Sequence, residues 1–136
     1  MSYYPWDKQI NLEALKGKTI DRIEGLEKGS EEVRIFTQDG GEYLFYHSQD
    51  CCESVDLYDL EADCEDWSGA LILDAFESSN SDEGEKPGEY AESWTWTFYK
   101  IETSKGGIWM RWLGESNGYY SESVEIAWVN KPEQTQ

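Results

Sequence analysis

The only histidine of the chain, His47, lies just ahead of two adjacent thiols, Cys51 and Cys52. Imidazole and thiolate are the ligands zinc prefers, and a carboxylate can complete the tetrahedron. The spacing offers His47, Cys51 and Cys52, with Cys64 or one of Asp50, Asp63 and Glu65 as the fourth ligand. Adjacent side chains of a strand point to opposite faces, so Cys51 and Cys52 can reach one ion only from a turn. Four protein ligands would make the zinc structural, whereas catalysis needs an open position. The competing reading is packing: one cysteine buried, one exposed, and His47 bonded to a backbone carbonyl.

Catalytic readings find less to hold. A Ser-His-Asp arrangement would have to use Ser48, His47 and Asp50, and no nucleophile elbow surrounds them. A Cys-His pair from His47 with Cys51 or Cys52 sits among carboxylates, which disfavour the thiolate. Paired carboxylates for glycoside chemistry are everywhere, so no pair stands out. No phosphate-cradling glycine loop is present. A small metal or thiol enzyme therefore ranks behind a binding protein.

The charge is the strongest feature. The chain holds 29 acidic against 11 basic residues, a formal net charge of -18. The 51 positions between Arg34 and Lys86 contain fifteen acids and no Lys or Arg. Carboxylates spaced along strands can imitate a row of phosphates and occupy a basic nucleic-acid channel, with steep salt dependence. The residues expected to do so are Asp56, Asp59, Glu61, Asp63, Glu65 and Asp66, with Asp82, Glu83 and Glu85. The plainer reading is a solvated face that serves solubility. Either way, nucleic acid and anionic membranes are repelled, and the expected partner is a protein with a basic nucleic-acid-binding surface.

These residues need elements to position them. With seven Trp and nine Tyr, the chain can build an aromatic core, and its 136 residues amount to one domain. A short helix is expected over Ile10 to Lys16, with Asn11 as N-cap and Gly17 as its stop. Strands are expected over Lys18 to Leu26, Glu32 to Thr37 and Glu42 to His47, the last two joined by the Gln38-Asp39-Gly40-Gly41 turn. Ser54 to Leu60 and Ala70 to Phe76 read as further strands, with a helical turn near 62–68. Residues 77–92 read as a mobile loop. Ser93 to Glu102, Ile108 to Leu113 and Tyr119 to Val129 read as a three-stranded antiparallel meander, and the tail from 130 as frayed. The expected class is mostly β (α+β). In the turn segment, Arg111 is expected to pair with Glu115 or Glu122. No span of ~20 apolar residues and no basic-then-apolar leader is visible, which points to the cytoplasm.

Three blocks together resemble a family of small phage and prophage proteins catalogued as a domain of unknown function. They are His47 with Gln49 to Glu53, Ser93 to Tyr99, and Arg111-Trp112 with Gly114 to Glu122. The resemblance runs from about Lys16 to Ile126. It implies a phage origin and makes His47 and the paired cysteines part of the family pattern. The position of Cys64 is more often apolar in that family, which moves the expected fourth zinc ligand towards Asp50 or another carboxylate. In size, charge and zinc the chain also resembles a Cas9-directed anti-CRISPR. That resemblance implies a phage-encoded inhibitor that binds Cas9 in the host cytoplasm and blocks loading of target DNA.

Overall fold

In the computed structural model, residues 10–49, 52–81, 87–88, 92–118 and 121–130 are described. The chain folds as two four-stranded antiparallel sheets that share one core. The first has the order β1-β2-β3-β8, from Ile20–Glu24, Val33–Thr37, Glu42–Tyr46 and Glu125–Asn130. The second has the order β4-β7-β6-β5, from Ser54–Ala62, Gly106–Ser116, Ser93–Thr103 and Ile72–Ser81. Alternation places Val33, Ile35, Phe45 and Ile126 of the first sheet against Leu57, Tyr99, Ile101 and Trp112 of the second. Phe45 and Tyr99 meet edge to face at 5.2 Å.

Backbone bonds stitch the sheets together at their edges. The Leu57 amide donates to Ser30 O and its carbonyl accepts from Gly29 N. At the other end, Gly17 N donates to Ile72 O, and Ile72 N donates to Lys18 O. These bonds occupy edge groups that would otherwise template further strands.

The expected class holds, with several corrections. The N-terminal helix is only a 3-10 turn, Leu12–Leu15, and Asn11 makes no side-chain cap bond. Leu12 and Leu15 are both buried, so packing rather than capping holds this turn. No helix forms over 62–68; Ala62 ends β4, and irregular chain with bends and a turn follows it. The strand expected to end at Phe76 continues to Ser81, pairing in register from Ala75↔Ile101 to Ser81↔Thr95. Residues 77–81 are therefore ladder rather than loop, while 82–86 and 89–91 lie outside the described residues. The meander expected of β6, β7 and β8 does not form; β5, β6 and β7 make one instead. β8 crosses to the first sheet and pairs with β3, Phe45↔Ile126, instead of closing a hairpin on β7.

Candidate functional site

His47 follows β3 directly, and its side chain is 3% exposed. Nδ1 donates to the Ser123 carbonyl at 2.7 Å, since a carbonyl can only accept. That fixes a proton on Nδ1. Nε2 meets Glu53 Oε2 at 2.7 Å, and the Glu53 side chain is 0% exposed. One proton therefore lies between imidazole and carboxyl. Gln49 completes the cluster, donating to the Glu53 carbonyl at 2.7 Å and to Oε1 at 3.1 Å. Two strand ends and the segment before β8 are thus joined through one buried polar network.

The expected zinc ligands do not assemble among the described residues. Both ring nitrogens of His47 are engaged, and Cys52 is disulfide-bonded, so it offers no thiolate. Asp50 and Cys51 lie outside the described residues. Cys64 is free but sits in the β4–β5 connection, where its Sγ donates to Asp66 O at 3.4 Å. Asp63 accepts from Gly107 N at 2.8 Å, and Glu65 is exposed. Among the described residues no group of three His, Cys, Asp or Glu side chains could hold a metal. A disulfide at Cys52 also departs from the thiol that both the zinc and the Cys-His readings place there. The residue that sequence reading missed is Glu53. It has no place in the ligand set that the spacing offers, although it follows His47 by six positions inside the same block.

The acids of the β4 region have separate fates. Asp59 is held by Lys28 at 3.3 Å, and Asp63 is tied to the β6–β7 turn through Gly107. Asp66 Oδ1 accepts from Ser68 N at 3.0 Å. Asp56 is half-buried, whereas Glu61 and Glu65 are exposed and make no ion pair among the described residues. Asp82, Glu83 and Glu85 lie outside the described residues. Elsewhere in the acidic run, Lys18 pairs with Asp39, Arg34 with Glu42 and Lys16 with Asp74. The cations come from the first 34 residues, so folding returns charge partners to a segment that has none of its own.

Arg111 does not pair with Glu115 or Glu122. Its guanidinium stacks over Trp96 at 4.5 Å and Tyr58 at 5.1 Å. Glu122 is instead buried, accepting from Thr95 Oγ1 at 2.7 Å and from Ser116 Oγ.

The pattern shared by these blocks has a family. The chain belongs to DUF7448, a domain of unknown function, whose profile matches residues 13–126. No curated protein and no solved structure matches it. The DUF7448 span takes in β1 to β7 and enters β8, and so includes the His47–Glu53 pair and the Glu122 anchor. Among the described residues no helix is long and apolar enough to cross a membrane.

The carboxylates fix a pH response. Burial, and then Glu31, raises the Asp56 pKa; burial, and then Glu125, raises that of Glu77. Both are charged at a cost near neutrality, and protonation relieves it as pH falls through their raised values. Asp59 is lowered by the Lys28 hydrogen bond and then the Leu60 amide, and Asp74 by Lys16 and then the Ala75 amide. For Asp39, burial pulls upward but the Lys18, Thr37 and Gly41 donors outweigh it and lower the value. These three contribute stability above the ordinary aspartate value of 3.8 and lose it as pH falls through their lowered values. Self-repulsion of the net charge of -18 adds to the relief on mild acidification. The melting temperature is therefore expected to rise from pH 7 to about pH 5 and to drop well below pH 4. Thermal denaturation across that range checks it; a monotonic fall from pH 7 would contradict this assignment of charges.

Proposed function

We propose that this chain is a phage-encoded binding protein that blocks a host nucleic-acid-targeting defence protein. Cas9 is the concrete candidate, and obstruction of target-DNA loading the mechanism. The observation that carries the reading is the end of β4 and its following turn. There Glu61 and Glu65 stand exposed and unpaired by any described cation, beside Asp66, on a chain of net charge -18. Such a surface steers a basic groove into contact quickly and loses affinity steeply with salt. It needs no catalytic group, which suits a chain whose one histidine has both nitrogens occupied. Folding also narrows the acids that can serve. Asp59 is paired with Lys28 and Asp63 with the Gly107 amide, so the work falls to Glu61 and Glu65, while Asp56 is half-buried nearer the start of β4.

Target-DNA cleavage by purified Cas9, with this protein added before or after the DNA, tests the proposal. Inhibition is expected only when the protein is added first. Glu61→Lys with Glu65→Lys should weaken binding about tenfold and flatten its salt dependence, because two of the mimicked phosphates are lost. No inhibition at excess protein across several Cas9 orthologues would remove Cas9 as the target. Unchanged affinity in the double variant would remove the acidic edge as the contact.

A further inference from the structure

All five large apolar side chains that are exposed among the described residues belong to the second sheet or its margin: Tyr58, Leu71, Leu73, Phe76 and Phe98. The face of that sheet turned away from the core carries a groove of about 370 Å³ that crosses all four strands. Phe76, Phe98 and Trp109 give it apolar walls, and Arg111, stacked on Tyr58 and Trp96, forms one end. Lys100 lies over Trp109 at 5.6 Å and is neutralised by Glu102 at 3.1 Å. A groove of this size accepts one large apolar side chain. Its margin carries Glu61, which makes no ion pair among the described residues, and three carboxylates each held by one lysine: Asp59 by Lys28, Asp74 by Lys16 and Glu102 by Lys100. Aromatic walls around the paired Lys100, inside a charged rim, have the anatomy of a protein-binding surface, whose anchors are aromatic and arginine side chains.

We infer that this face docks an amphipathic, basic segment of a partner protein, which places an apolar side chain between Phe76, Phe98 and Trp109 and Lys or Arg side chains against the acidic rim. Charge complementarity selects that occupant. A second copy of the chain would bring the same rim and another net charge of -18 against it. An anionic ligand would meet Lys100 already paired and two or more carboxylates at the margin. The inference deepens the proposed function, since it rests on a basic partner. It adds the apolar contact that charge alone lacks, and so a source of selectivity among basic proteins.

The test uses the full chain with three probes: a synthetic peptide alternating Leu and Lys, its Leu/Glu counterpart, and polylysine. Tryptophan fluorescence reports binding. The variant is Phe76→Ser with Phe98→Ser; at 50% and 36% exposure these side chains are dispensable to the core, which an unchanged melting temperature would verify. The Leu/Lys peptide is expected to bind best to the native chain and at least tenfold more weakly to the variant, while polylysine binding stays the same. Equal binding of the Leu/Lys peptide to both proteins would overturn the inference, as would equal binding of the Leu/Glu peptide to the native chain. Concentration-dependent dimerisation in sedimentation that the variant abolishes would also overturn it, by assigning the face to a second copy. Failure here is separable from failure of the proposed function. The variant inhibiting Cas9 as well as the native chain would remove only the groove. Peptide binding that depends on Phe76 and Phe98, without any Cas9 inhibition, would remove only the Cas9 target.

Discussion

Replacing His47 by alanine is expected to lower the free energy of unfolding by about 3–5 kcal/mol, the usual cost of removing one partner of a buried, hydrogen-bonded pair of ionisable groups. The Glu53 side chain, 0% exposed, would lose its bond to Nε2 and keep Gln49 at 3.1 Å on its other oxygen. The Ser123 carbonyl would lose its donor as well, loosening the connection between the end of β3 and the start of β8. Urea unfolding measures the loss. Pairing His47→Ala with Glu53→Ala should recover part of it, because the stranded carboxyl is then gone and the two effects are strongly non-additive. The same experiment separates this network from a zinc centre built on His47, Cys51, Cys52 and Asp50. A hydrogen-bonded pair predicts that a chelator leaves the native melting temperature unchanged. A chelator that lowers it, together with zinc recovered from the protein, would replace the pair with a metal site.

The second large effect is expected at Gly114, in β7. A Cβ there would lie 2.4 Å from the Glu122 carbonyl oxygen and 2.7 Å from the Glu122 Cβ. Gly114→Val must push Glu122 away, and Glu122 holds Thr95 and Ser116 through its two carboxyl oxygens. The expected loss is about 3 kcal/mol, the upper part of the overpacking range, with Gly114→Ala milder. Urea unfolding reads this too. A loss below about 0.5 kcal/mol would show that the 121–124 segment shifts without resistance and that Glu122 is no anchor. The close approach gives a physical reason for the spacing of Gly114 and Glu122 within one block. The first must lack a side chain so that the second can reach across to β6.

How much was legible in advance differs from element to element. The β2–β3 hairpin was legible because Val33, Ile35 and Thr37 alternate along β2 and the turn carries glycine; Gly40 has φ 89°. β6 was legible as a strand from its aromatic and β-branched alternation, but not which way it faces. The Trp94, Trp96 and Phe98 side looks like the core side. Folding turns Tyr99, Ile101 and Thr103 inward, leaving Trp96 and Phe98 on the outer face with Arg111. Both faces of that strand are apolar enough to be buried, so local pattern alone cannot choose between them. The destination of β8 was equally hidden. Ser116-Asn117-Gly118 is a turn signal, and nothing local says that the chain then leaves its neighbour for the other sheet.

By itself, the sequence determined what is summed over residues or set by nearest neighbours. It set the acidic field, the predominance of strands, the hairpin turn and the blocks that mark the family. Tertiary structure decided what depends on residues far apart in the chain meeting. It brought cations from the first 34 residues to acids of the long acidic run, leaving Glu61 and Glu65 unpaired by any of the described cations. It joined His47 to buried Glu53 through one ring nitrogen and to the Ser123 carbonyl through the other, and it gathered Phe76, Phe98 and Trp109 from three strands into one groove. Local chemistry specifies strands and turns because their energetics act within a few residues. Pairing across sheets is settled only when the shared core excludes water, and that is a property of the whole chain.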